Sequence, residues 1–232
     1  MGKIQTPGDS QMSRGESISD TARIVSSMAD LIVMRTGAHA RLETMAEHSA
    51  VPVINALSDD FHPCQLLADL QTFNEHRGDI RDAKIAFVGD GSSNVCHSWI
   101  NASSMMKFSI TVGTPPQYHP KSEIASVAGA RYKVTDNVSE AVKDADLVIT
   151  DTWAGMGQEK EKAERLASLS AFQVNGPVMD GAASDAIFMH CLPAYRGQEV
   201  TADVIDGPKS VVFDEAENRL HAQKALIELL MS

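Results

Sequence analysis

The amino-acid sequence predicts an α/β fold in which parallel strands are covered on both faces by helices. Two observations lead there. Short apolar runs rich in β-branched residues recur along the chain: LIVM at 31–34, VPVINAL at 51–57, KIAFVG at 84–89, DLVIT at 146–150 and AIFMH at 186–190. Between them apolar residues return at helical spacing. Strands of a parallel sheet are buried on both faces and therefore read as continuous apolar runs.

In chain order, the first dozen residues are polar, with Gly2, Pro7 and Gly8, and read as an arm or loop. Ser19 and Asp20 precede a short helix over 21–28, an acidic start suited to a helix N-terminus. Leu31–Met34 is a buried strand ending at Arg35. Leu42, Met45 and Ala46 make 39–48 a helix, and 51–57 is a second strand with Pro52 at its start. Leu66, Leu67, Leu70 and Phe73 share one face of a helix over 63–76, and Arg77-Gly78-Asp79 reads as a hinge. A second series follows, with strands at 84–89, 108–112, 131–135, 146–150 and 186–190. Helices are expected at 95–106, 121–130, 137–143, 158–169 and 214–231. The charge run EKEKAER, 159–165, reads as a solvated helix face, and Leu220, Ile227 and Leu230 as the apolar side of the last helix.

Composition removes several function classes. Lysine and arginine total 20 against 31 aspartates and glutamates, a net charge of −11. That is not the basic footprint of a nucleic-acid surface, although a local cationic pocket remains compatible with it. No apolar run reaches a membrane span, and the start has no signal-peptide segment. Three scattered cysteines make no disulfide framework and read as reduced thiols of a cytoplasmic protein.

Ligands of parallel α/β sheets bind beyond the carboxyl ends of the strands, so the segments after each apolar run carry the chemistry. In SDDFHPCQ, 58–65, Pro63 suits the first turn of a helix, placing His62 and Gln65 at its N-terminus. Free N–H groups there favour an anion, and imidazole and amide side chains can polarise a carbonyl oxygen. A histidine that merely caps the helix is the plainer alternative. VGDGSSN, 88–94, imitates a dinucleotide fingerprint, but Asn94 stands where the third glycine belongs and no acidic residue ends the next strand. NAD is therefore excluded, and Asn94 is either a carboxylate-holding amide or a helix cap. Asp151 closes the strand before DTWAGMGQE and can grip an ammonium group. Cys191, in HCLPAYRG, is a nucleophile, an orienting partner or inert core. The His–Cys neighbours lack zinc-ligand spacing, so no metal is expected. A thiol hydrolase would need a base other than His190, since adjacent strand residues face opposite ways.

Together FHPCQ, GDGSSN, DTW-x-x-MGQE, HCLPAYRG and DEAENRLHAQKA, in this order, resemble the transcarbamylases, and within them the ornithine carbamoyltransferases. The resemblance runs from about Asp9 to the C-terminus. It implies two lobes, each a parallel sheet flanked by helices. A partial carbamoyl-phosphate lobe with the interdomain helix would span 1–77, an ornithine lobe 78–213, and a C-terminal helix returning to the first lobe 214–232. It implies transfer of a carbamoyl group from carbamoyl phosphate to the side-chain amine of L-ornithine, without cofactor or metal, in a homotrimer. Arg35, His62, Gln65, Cys191, Leu192 through its backbone, and Arg219 would hold carbamoyl phosphate. Asn94, Asp151, Gly155 and Met156 would line the ornithine side, and Gln11 would bind carbamoyl phosphate by reaching a neighbouring subunit's site. Arg35, His62 and Cys191 would be the catalytic residues.

Two departures from the family pattern stand out. The S-x-R-T-R phosphate motif is absent from this sequence, so the first lobe is expected to be incomplete. Gly155 occupies a position where the family usually has a serine that helps hold the ornithine amino group. A non-catalytic amino-acid-binding form and a transcarbamylase for another amine are the corresponding alternatives.

Overall fold

The computed structural model describes residues 15–154 and 161–232. Its first part is a βαβ-like unit: α1 (Ile18–Ser26), β1 (Ile32–Arg35), α2 (His39–His48) and β2 (Val53–Leu57), followed by the long α3 (Pro63–Arg77). β1 and β2 pair in parallel. A small core of Ala22, Met34, Leu42 and Met45 lies under them. Helix α1 begins three residues earlier than its acidic signal implies, because Ser17 is the cap: its Oγ accepts the Asp20 N–H at 3.1 Å.

The second part is a five-stranded parallel sheet. Its strands are β3 (Lys84–Val88), β4 (Ser109–Gly113), β5 (Tyr132–Thr135), β6 (Leu147–Thr150) and β7 (Ile187–His190), in the order β5-β4-β3-β6-β7. Around it lie α4 (Asn94–Met106), α5 (Ser122–Ala128), α6 (Val138–Val142), α7 (Lys162–Leu169), α8 (Gly176–Asp180), α9 (Ala202–Ile205) and α10 (Val212–Met231). Helices α8 and α9 are too short to give a periodic pattern and are not legible in the sequence. The expected start of α7 at Gln158 lies outside the described residues. Ile85, Phe87, Ile110, Leu147 and Ile149 face one core with α3 and α4; Ala86, Val88, Val148 and Phe188 face the other. This strict alternation explains why each strand is apolar throughout.

Three expectations change. Leu66 and Phe73 of α3 belong to the core of the five-stranded sheet, and Arg77 is tied across the expected hinge. Its Nη2 donates to Asp146 at 3.0 Å, its Nη1 to the Asp185 carbonyl at 2.7 Å. Helix α10 buries a polar face, Glu215 and Asn218, against α3, while Leu220 is 61% exposed. Asn218 is matched by Thr72, Glu75 and Gln71 on α3, so a hydrogen-bonded seam replaces the expected apolar one. Arg165 is buried at 6% exposure rather than solvated. No described helix is long and apolar enough to cross a membrane.

Candidate active site

The sheet order reverses between β3 and β6: β4 and β5 extend to one side, β6 and β7 to the other. Connections leave the two central strands in opposite directions, which opens a crevice at their carboxyl ends. Gly89–Asn94, Asp151–Trp153 and Cys191–Leu192 follow β3, β6 and β7 at that edge. The N-terminus of α3, with His62 and Gln65, comes from the other side.

Strand register brings Asp151 and Cys191 together. Thr150 pairs with His190, so the next residues are neighbours. The Cys191 thiol donates to Asp151 Oδ1 at 3.2 Å. Burial raises the Asp151 carboxyl above its ordinary range, and burial followed by the Asp151 charge pushes the Cys191 thiol well up. Cys191 is thus a neutral thiol at physiological pH, which argues against a nucleophilic thiolate. Leu192 has a left-handed backbone (φ 52°), and its N–H donates to His190 Nδ1 at 2.9 Å. His190 turns away from Cys191, its Nε2 lying 3.3 Å from Glu199 in a site where both residues are fully buried.

A second cluster joins α3 to α10. Arg219 Nη1 donates to Gln65 Oε1 at 2.5 Å. The Gln65 amide nitrogen donates to Asp69 at 2.8 Å and to Glu215 at 2.9 Å. Glu215 also accepts the His190 backbone N–H at 2.9 Å, linking this cluster to the Cys191 turn. His62 occupies the cap position of α3 but its side chain makes no capping bond, and its Nδ1 is buried without a partner among the described residues. Burial, then the charges of Arg219 and Arg35, lower its pKa to about 4. His62 is therefore a neutral imidazole at neutral pH. Arg35, at the end of β1, is exposed and sits in the same electrostatic neighbourhood.

The glycine turn is built for close packing. A Cβ at Gly91 would meet the Tyr118 carbonyl oxygen at 2.8 Å and Thr114 at 2.9 Å, and Gly89 has φ 123°. Ser93, not Asn94, caps α4, its Oγ accepting the Cys96 N–H at 3.2 Å. Asn94 is left at the first helical position, donating its amide to the Ser58 carbonyl at 2.8 Å. Asp90 forms a buried ion pair with Arg165 of α7, which also donates to the Trp153 carbonyl and lies 4.7 Å from the Tyr118 ring centre.

The structure thus joins Asp151 with Cys191 and Gln65 with Arg219, and places His62 within reach of the charges of Arg219 and Arg35. Gln11, Gly155 and Met156 lie outside the described residues. Asp69, Glu215, Glu199, Asp90 and Arg165 were not singled out by sequence. DEAENR and GDG contain two of them, Glu215 and Asp90, but an acid in a helix start or a turn is indistinguishable there from ordinary surface polarity. Among the described residues no group of three histidine, cysteine or acidic side chains is arranged to hold a metal.

This crevice lies at the switch point of the doubly wound sheet, with the βαβ-like unit and α3 on its other side. The family model for the carbamoyl-phosphate-binding domain of aspartate/ornithine carbamoyltransferases matches residues 2–75. The model for their aspartate/ornithine-binding domain matches residues 81–230. The chain belongs to the aspartate/ornithine carbamoyltransferase family. It is 55% identical to an ornithine carbamoyltransferase of Nitrosococcus oceani, over 97% of this chain and 74% of that protein. It is 54% identical to an anabolic ornithine carbamoyltransferase of Pseudomonas aeruginosa, with the same coverage of 97% and 74%. The ornithine carbamoyltransferase structure from Pyrococcus furiosus superposes with a TM-score of 0.90 at 47% identity, covering 97% of this chain and 74% of that one. The structure from Burkholderia thailandensis gives 0.86 at 44% identity, covering 99% and 73%.

Proposed function

We propose that this chain transfers the carbamoyl group of carbamoyl phosphate to the side-chain amine of L-ornithine, giving citrulline and phosphate. The observation that carries this reading is the Cys191–Asp151 contact at the switch-point crevice, joined through Glu215 to the Gln65–Arg219 arm. One cluster suits an amine, the other an anion.

In this reading Arg35 and Arg219 pair with the donor phosphate, as guanidinium forks do. Neutral His62 donates to the carbamoyl oxygen, where negative charge develops as the amine attacks. The Leu192 N–H is taken by His190, so its carbonyl is the backbone group left for the carbamoyl NH2. Asp151 and Asn94 orient the amino acid together with Met156 and the residue at 155. Because the Cys191 thiol donates to Asp151, its sulfur lone pairs are free to accept an N–H of the attacking amine. The amine must first lose its extra proton. Its nitrogen then bonds to the carbamoyl carbon, and the C–O bond to phosphate breaks with its electron pair going to phosphate. The second amine proton leaves with the phosphate. Positioning two substrates supplies much of the acceleration.

We further infer a cytoplasmic homotrimer in which Gln11 reaches a neighbour's site, on the family resemblance alone; mass photometry of the purified chain tests the assembly. The function itself is tested by citrulline formation from ornithine and carbamoyl phosphate, with Cys191→Ala and Asp151→Ala as controls. Turnover lost in both variants is expected; turnover unchanged in both refutes the site. Gly155 makes other acceptors worth including, so putrescine and N-acetylornithine belong in the same assay. Ornithine binding by calorimetry without turnover would instead favour a non-catalytic binding form.

A further inference from the structure

The two halves of the crevice are connected by a pair of acids that the proposed reaction does not itself use. Asp69 on α3 and Glu215 on α10 are each 1% exposed. Both accept from the single Gln65 amide nitrogen, at 2.8 and 2.9 Å, which brings the two carboxyl groups side by side. Asp69 also accepts the Trp99 indole N–H at 3.1 Å, which fixes it to α4. Glu215 holds the His190 backbone N–H at 2.9 Å, immediately before Cys191. Gln65 holds Arg219 by its carbonyl oxygen.

Two carboxylates this close, out of water, cannot both stay ionised. The charged and titratable side chains facing the pair are Arg219 from α10 and Cys191 from the end of β7; the His190 ring is turned toward Glu199 and offers the pair only its backbone N–H. Arg219 is the one full positive charge in that set, enough to compensate one carboxylate. We propose that Asp69 and Glu215 act together as positioning residues, sharing one proton, and hold the Gln65–Arg219 arm and the Cys191 turn at one fixed separation. The inference rests on the carbamoyl-transfer reading for its kinetic consequence, and on the geometry alone for its protonation state. Burial raises both carboxyls, Asp69 to about 6.

A shared proton predicts a specific pattern. Glu215→Gln replaces the protonated acid by an amide that still donates to Asp69 and accepts from His190. Asp69→Asn supplies the donor from the other side. Glu215→Leu does neither, leaving the His190 N–H and the Asp69 carboxylate without their partner.

The test has two arms on the full chain. Infrared difference spectra at neutral pH, wild type minus each of Glu215→Gln and Asp69→Asn, report protonated carboxyl groups. One protonated-carboxyl band present in wild type and missing from both variants is expected; Asp151, common to all, cancels. A band that persists in either variant, or no band in wild type, overturns the shared proton. In the citrulline assay Glu215→Leu is expected to lose about ten- to a hundredfold in kcat/KM for both substrates, with Glu215→Gln restoring most of it. Equal activity of Glu215→Leu and wild type, or no rescue by glutamine in a folded sample, overturns the positioning role. Should Glu215→Leu not fold, the double variant Asp69→Asn/Glu215→Gln, which removes the residual charge, takes its place with the same expectation. If wild type makes no citrulline, the functional reading fails, and the infrared arm still decides the proton.

Discussion

Replacing Gln65 by leucine tests whether the α3–α10 junction is organised as described. Gln65 is 1% exposed, so the nearly isosteric leucine leaves no large cavity and the effect is electrostatic. Three hydrogen bonds disappear: from Arg219 at 2.5 Å, to Asp69 at 2.8 Å and to Glu215 at 2.9 Å. Each involves a charged or potentially charged partner, for which ~1.5 kcal/mol is the low end. Simple addition gives ~4.5 kcal/mol. The three share one side chain and are coupled, so the expected loss is about 3–5 kcal/mol. A domain of total stability about 5–15 kcal/mol would lose a fifth of it or more. Urea unfolding at pH 7 measures this as a fall in midpoint at unchanged slope. In parallel, KM for carbamoyl phosphate should rise, because Arg219 loses its orienting acceptor. A destabilisation below ~1 kcal/mol, the scale of an ordinary surface change, together with an unaltered KM, would refute the account of Gln65 as the junction.

Four further outcomes follow from the same geometry. Arg165→Met leaves Asp90 buried and uncompensated and should cost about 3–5 kcal/mol in urea unfolding, with Arg165→Met/Asp90→Asn recovering part of it; purely additive effects would refute the pairing. Cys191 should alkylate slowly with iodoacetamide at pH 7.5, and faster in Asp151→Asn, since the carboxylate that holds its pKa up is gone; slower labelling in that variant contradicts the contact. His62 stays neutral down to about pH 4 in the folded state but protonates near 6.5 when unfolded, so the unfolded chain binds the extra proton. Stability associated with it is complete above 6.5 and falls as pH drops toward 4, by up to ~3 kcal/mol, and His62→Gln should flatten that part of the stability–pH curve. Arg77→Met should lower the thermal midpoint by a few degrees without changing KM for either substrate, because its bonds to Asp146 and the Asp185 carbonyl lie at the end of α3 remote from His62.

The strands were legible because burial on both faces writes itself into consecutive residues. KIAFV, LVIT and IFMH are apolar at every position except Lys84, Thr150 and His190, and all three form strands of the sheet. Position at the carboxyl ends was legible too, which is why Asp151, Cys191, His62 and Gln65 could be named from chain order and motif. The partnerships could not. That Asp151 meets Cys191 depends on β6 and β7 pairing in one register, Thr150 opposite His190, across 40 residues of intervening chain. That Arg165 is buried depends on Asp90, 75 residues away; within EKEKAER nothing distinguishes it from its solvated neighbours. Helix α10 makes the same point in reverse. Its leucines promised an apolar seam, yet the buried side is Glu215 and Asn218, because the facing surface of α3 offers Gln65, Thr72 and Glu75 as partners.

By itself, then, the sequence determined the order of the strands and of every helix but α8 and α9, the family and the residue types at each strand end, since local burial and backbone conformation act over a few residues. Only the tertiary structure decided which of those side chains are neutral, which are paired and which face one another. Desolvation and charge coupling depend on groups from distant segments, and no local pattern encodes them.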